Sequence, residues 1–117
     1  MTTMTGAEAI IESLRLNGVD TVFGLPGGQL DYLFDAMYKQ GDDFTLIHSR
    51  HEQGVAYMAY GYAKSTGKVG AYAVVPGPGL LNSAAALCTA WANYAPVLCI
   101  SGQIPSTAIG KGYGDLH

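Results

Sequence analysis

The sequence predicts an α/β domain, a parallel sheet with helices on both faces. Three observations carry that expectation. Short apolar runs of strand length alternate with longer stretches of helical character. The runs open into turns rich in Gly and Pro, such as Gly24-Leu25-Pro26-Gly27-Gly28 and Pro76-Gly77-Pro78-Gly79. The strand-to-strand connections are long enough for the helical crossovers that parallel pairing requires.

The elements follow in order. Thr5 is placed to cap a first helix, and Glu8, three residues on, completes a capping box. Ala9, Ile10, Leu14 and Leu16 supply its apolar side, and Asn17-Gly18 ends it. Thr21-Val22-Phe23 reads as a first strand. A second helix is expected over Leu30 to Tyr38, stopped by Gly41, and a second strand over Phe44 to Ile47. The third helix, His51 to Ser65, is rich in small residues. Glycine is costly inside a helix, so Gly54 and Gly61 suggest that another backbone approaches closely there. Val69 to Val75 is a third strand, Leu80 to Trp91 a fourth helix, and Val97 to Ser101 a fourth strand. From Ile104 to His117 the sequence is loop-like, and the domain reads as incomplete at that end.

Composition narrows the class. The chain has 117 residues, enough for one domain. Apolar residues make up 49% and charged residues only 13%, so part of the surface is expected to be covered by a neighbour. With a net charge of −3 and no Lys/Arg cluster, a nucleic-acid partner is not expected. The apolar stretch Ser83 to Ile100 contains Asn93 and Pro96 and reads as helix plus strand, not as a membrane span. Met1 to Gly6 lacks the features of a signal peptide. Cys88 and Cys99 lack metal or redox spacing and sit in apolar stretches. Buried free thiols in a reducing cytoplasm are the expectation.

A parallel sheet binds ligands outside the carboxyl ends of its strands. The loops Gly24 to Gly28, His48 to Glu52, Pro76 to Asn82 and Gly102 onward should therefore share one edge. Glu52 stands where a strand gives way to a helix. A carboxylate there is either an ordinary first-turn residue, favoured by the helix dipole, or an acid aimed into a cleft. The Gly24 to Gly28 loop lacks both dinucleotide and P-loop spacing and is better read as a tight turn than as a phosphate cradle. Pro76 and Pro78 stiffen the second loop into a wall suited to a flat ring. Asn82 can cap a helix or bond a ligand. His48, His51 and His117 form no metal spacing, and Tyr57, Tyr60 and Tyr62 suit a packed helix surface.

The order of these pieces is more specific than any one of them. Gly24-Leu25-Pro26-Gly27-Gly28, Arg50-His51-Glu52-Gln53-Gly54, Gly61-Tyr62-Ala63, Gly77-Pro78-Gly79 with Asn82, then Pro96 and Ser101-Gly102-Gln103 follow one another. This series resembles the N-terminal pyrimidine-binding domain of thiamine-diphosphate-dependent enzymes, acetolactate synthase and its relatives in particular. The resemblance implies that Glu52 hydrogen-bonds N1′ of the cofactor's aminopyrimidine ring and promotes its imino form, which deprotonates the thiazolium C2. That carbon then attacks a carbonyl substrate, commonly a 2-keto acid. Pro26, Pro78 and Asn82 match positions around the pyrimidine, while Gly27, Gly28, Gln103 and His117 fall on the substrate side.

The same resemblance implies Mg²⁺ and a diphosphate-binding domain whose Gly-Asp-Gly…Asn motif is not in these residues. The active site would form between this domain and the diphosphate domain of a second subunit, in a homodimer or homotetramer. By itself the chain is expected to be inactive. Two positions depart from the synthase pattern. Pro76 precedes Gly77-Pro78-Gly79 where a serine is usual. Gly114-Asp115-Leu116-His117 replaces an Asp-Ala-Phe-Gln-Glu stretch, which leaves room for a different substrate. The alternative reading is a non-catalytic nucleotide-binding or subunit-contact domain of the same fold.

Overall fold

The computed structural model describes residues 3–112. Helix α1 (Gly6–Leu16) begins at Thr5, and its capping box is present. The Glu8 N–H donates to Thr5 Oγ1 at 3.2 Å, and the Thr5 N–H donates to the Glu8 carboxylate at 2.7 Å. The buried side of α1 differs from the expected one. Ile11 and Leu14 are buried, whereas Ile10 and Leu16 are exposed. Ala7, Ile11 and Leu14 form the i, i+4, i+7 stripe that meets the core.

Strand β1 (Thr21–Gly24) leads through a short 3₁₀ turn (Gly28–Leu30) into α2 (Asp31–Tyr38). A second 3₁₀ turn (Gly41–Asp43) leads to β2 (Thr45–His48). Then come α3 (Glu52–Thr66), β3 (Gly70–Val74), α4 (Pro78–Ala92) and β4 (Val97–Ser101). The four strands form one sheet in the order β2-β1-β3-β4, and every neighbouring pair is parallel. Alternation along the central strands divides the core into two layers. Val22, Ala71 and Ala73 face α1 and α2 with Ile11, Leu33 and Met37. Phe23, Tyr72 and Val74 face α3 and α4 with Val55, Ala59 and Ala86. Strand β3 is buried along its whole length, and β2 is an exposed edge.

A close backbone approach exists at α3, but not at the helix glycines. Gly54 lies against the side chain of Ser49, and Gly61 faces open space. It is Gly70 on β3 that lies under the helix: a Cβ there would run into the backbone of Ala59, whose carbonyl carbon would be 2.8 Å away. The strand supplies the missing side chain, and the helix supplies alanine.

Helix α4 begins two residues before the expected Leu80. Gly77 takes φ 62, ψ −115 as its N-cap, and Pro78 occupies the first helical position, where its missing N–H costs nothing. The helix carries no charged residue. Its outward side presents Leu81, Ala85, Cys88 and Ala92, all exposed. Cys88 is thus on the surface, not buried as expected, because it shares the helical face of Leu81 and Ala85. Cys99 is half-buried. Trp91 and Tyr94 at the helix end are 86% and 96% exposed, so apolar surface does lie open here.

Candidate functional site

In the order β2-β1-β3-β4, the chain leaves β1 for one side of the sheet and then crosses to the other. The carboxyl ends of β1 and β3 therefore flank a topological switch point, where open α/β sheets bind ligands. The loops that follow these strands are tied together. The Leu25 N–H donates to the Ala73 carbonyl at 3.2 Å. A Cβ on Gly27 would run into the Val75 side chain, so the loop after β1 lies directly on the loop after β3.

Strand β2 delivers Ser49-Arg50-His51 to the same edge. His51 takes extended backbone angles and caps α3, its Nδ1 accepting from the Gln53 N–H at 3.1 Å. This cap fixes Glu52 as the first residue of α3. Glu52 is half-buried. Its Oε2 accepts a hydrogen bond from Nδ2 of Asn82, on the second turn of α4, at 3.0 Å. Its Oε1 lies beside Gly79, 3.6 Å from where a Cβ on that residue would stand. The same Cβ would be 2.7 Å from Cγ2 of Val75, so Gly79 packs against Val75 with no room for a side chain. Glu52 is thus placed on both counts by position alone: in the first turn of α3 and at the carboxyl edge of the sheet.

The other expected residues are distributed around this corner. Pro26 and Pro78 are exposed on the loops after β1 and β3. Gly28 is exposed at the start of the 3₁₀ turn. Gly102 packs on that turn, its Cβ position 2.9 Å from the Gln29 carbonyl oxygen. Gln103, next along, turns its amide oxygen back to accept from the Ile104 N–H at 2.8 Å. Asn82 does not cap α4, whose N-cap is Gly77. His117 lies outside the described residues.

Three contributors were not singled out from the sequence. Val75 buttresses both Gly27 and Gly79, and nothing in the sequence marks it. Tyr72 and Ser83 meet beneath α4, with their oxygens 2.9 Å apart, and Ser83 also donates to the Leu80 carbonyl at 2.7 Å. Burial, together with the neighbouring Cys99, pushes the Tyr72 phenol far above its ordinary range. The Cys99 thiol is pushed up by burial, partly offset by its hydrogen bond with Tyr72. The Tyr72–Ser83 contact fastens β3 to α4.

Elsewhere, a hollow of about 420 Å³ is walled by Leu87, Cys88, Ala90, Trp91, Ala95 and Val97. Another of about 540 Å³ lies between α1 and β4. Neither is lined by Glu52. Among the described residues no cluster of His, Cys, Asp and Glu is grouped to hold a metal, and no helix is long and apolar enough to cross a membrane.

Residues 4–116 match the family described as thiamine pyrophosphate enzyme, N-terminal TPP binding domain. The chain is 46% identical over 109 residues to an acetolactate synthase of Arthrospira platensis, covering 92% of this chain and 19% of that protein. It is 43% identical over 107 residues to the acetolactate synthase isozyme 2 large subunit of Escherichia coli, covering 92% and 19%. A probable 2-ketoarginine decarboxylase of Pseudomonas aeruginosa is 42% identical over 115 residues, covering 98% and 20%. The chain therefore spans about a fifth of the length of these curated relatives.

Proposed function

This chain belongs to the thiamine pyrophosphate enzyme family, and from that premise we propose that it is the cofactor-activating part of an enzyme acting on 2-keto acids or related carbonyl compounds. The single observation that carries the reading is the Glu52 carboxyl. It stands at the switch point with one oxygen held by Asn82 and the other beside a glycine-lined corner. The residues fit an aminopyrimidine ring. Such a ring needs one acid at its edge and close, flat walls. Gly79 and Gly27 are positions that a Cβ would fill, and Pro26 and Pro78 stiffen the loops that carry them.

When bound, the cofactor supplies the nucleophilic carbon and the electron sink. This chain's own part is narrower. Glu52 holds a proton at the ring nitrogen facing it. The loop after β1, with Gly27 and Gly28, borders the substrate side, and Gln103 with His117 is assigned there too. Mg²⁺ and the diphosphate are assigned to a domain outside this chain. A partner would complete the cleft, and we assign the uncharged outer side of α4, with Leu81, Ala85 and Cys88, to that contact. Whether the substrate is decarboxylated, joined to a second carbonyl or cleaved depends on that second half. The names of the relatives include an acetolactate synthase and a probable 2-ketoarginine decarboxylase.

The test is Glu52→Gln in the full-length protein. The amide keeps the size and a hydrogen-bonding group but cannot exchange a proton. Acid–base steps contribute about 10²–10⁴-fold, so turnover and C2 hydrogen–deuterium exchange of bound thiamine diphosphate should fall by that order. Exchange at the wild-type rate would leave Glu52 a first-turn carboxylate and favour a non-catalytic subunit-contact domain.

A further inference from the structure

We propose that Asn82 is a positioning residue that acts through Glu52: it holds Oε2 as an acceptor and thereby keeps the transferable proton on Oε1. This deepens, and rests on, the reading of Glu52 as the activating acid. The alternative, that Asn82 bonds the cofactor directly, is what its place in the sequence pattern suggests, and the geometry points away from it.

The argument is one of donors and acceptors. A neutral carboxyl has one hydroxyl oxygen and one carbonyl oxygen. An amide N–H can only donate, and the carbonyl oxygen of a neutral carboxyl is its stronger acceptor, so the contact favours the proton on the other oxygen. The Asn82 Nδ2 reaches Oε2 at 3.0 Å. The proton of neutral Glu52 therefore belongs on Oε1. Among the described residues, the hydrogen bond at this carboxyl ends on Oε2 alone. Oε1 lies instead beside Gly79, 3.6 Å from where a Cβ on that residue would stand. Without Asn82 no hydrogen bond among the described residues would distinguish the two oxygens.

The bond spans 30 positions of sequence and two helices, so its length depends on the placement of α4. Ser83, the next residue, fixes that placement from below. Its hydroxyl is fully buried, meets the Tyr72 phenol of β3 at 2.9 Å and donates to the Leu80 carbonyl one turn back. Asn82 is itself exposed, so replacing it removes the contact to Glu52 without opening the core.

The experiment uses the full-length protein with Asn82→Leu and Asn82→Asp, each alone and combined with Glu52→Gln. Leucine is close to isosteric, and aspartate keeps the shape but presents an acceptor where the donor was. Three quantities are read: the thermal midpoint, the dissociation constant of thiamine diphosphate with Mg²⁺, and C2 exchange at saturating cofactor. Both single variants should melt as the wild type does, bind the cofactor with unchanged affinity and exchange about two- to twelve-fold more slowly, the effect of losing a hydrogen bond between neutral groups. Combined with Glu52→Gln they should add nothing. Weakened cofactor binding with normal exchange at saturation would make Asn82 a cofactor ligand and overturn the proposal. So would effects that multiply with Glu52→Gln, or wild-type exchange in the Asn82 variants. Should Glu52→Gln itself exchange normally, the functional reading fails first, and that result is separate from the other three.

Discussion

The phenol of Tyr72 and the hydroxyl of Ser83 meet at 2.9 Å in a fully buried position, joining the central strand β3 to helix α4. The two partners are not equivalent. With Tyr72→Phe, Ser83 still donates to the Leu80 carbonyl, and the loss should be about 0.5–1.5 kcal/mol. With Ser83→Ala, the phenol keeps only the weak partner Cys99, and a poorly satisfied buried hydroxyl costs about 1–3 kcal/mol. Urea unfolding of the two variants should rank Ser83→Ala as the less stable. The reverse order would mean that the phenol finds another partner.

Gly70→Ala should be among the most damaging single changes in the sheet. The new methyl would meet Ala59 backbone atoms, with its carbonyl carbon 2.8 Å away, and a helix backbone cannot move aside as a side chain can. Overpacking of this kind costs about 1–3 kcal/mol. Scanning calorimetry should show a midpoint lowered by several degrees, since 1 kcal/mol is worth roughly 4–8 °C in a small domain. Gly61→Ala, where the space is open, should leave the midpoint the same or raise it.

At the site, Gly79→Ala presses on Val75 at 2.7 Å, and Val75 is a side chain that can be shortened. The single variant should lose stability, and Val75→Ala on top of it should restore part of the loss. A coupling of about 0.5–3 kcal/mol is expected between contacting residues. Strict additivity in a double-mutant cycle would show that the crowding is relieved elsewhere.

The cysteines offer a reading of the outer side of α4. In the isolated chain at neutral pH, an aromatic disulfide reagent should modify Cys88, which is exposed, and spare Cys99, whose thiol is half-buried and held neutral. If a partner covers α4, Cys88 should become protected in the assembled full-length protein. Equal reactivity of Cys88 in both would remove α4 from the interface.

Much of this was legible in the sequence because it is local. The capping box at Thr5 and Glu8 needs four residues, and the apolar runs of a parallel sheet stand out between Gly/Pro turns. What required the structure was every choice between equivalent partners. Ile10 and Ile11 both fit a helical stripe with Leu14, and only the position of the sheet selects Ile11. A close approach of strand and helix needs a small residue on each side, so glycines within α3 pointed to it while Gly70 provides it. Pro78 takes the first helical position of α4, but with Pro76 two residues before it the stretch reads as loop, so the sequence predicts the helix only from Leu80. The order of motifs located Glu52 and Asn82 separately. Their hydrogen bond follows from the placement of α3 and α4 on the same side of β1 and β3, which no local signal encodes.

The strand order has a consequence in time. Strand β1 pairs on one side with β2 and on the other with β3, and neither partner is a hairpin neighbour. While the chain is being synthesised, β1 keeps one unpaired edge until β3 has emerged. At about 5–20 residues per second, the stretch from Gly24 to Val74 takes roughly 2–10 s to add. During that interval Val22 and Phe23 have no complete sheet to enter, so the nascent chain is most open to chaperone capture, or to pairing with another nascent chain, before α4 is begun.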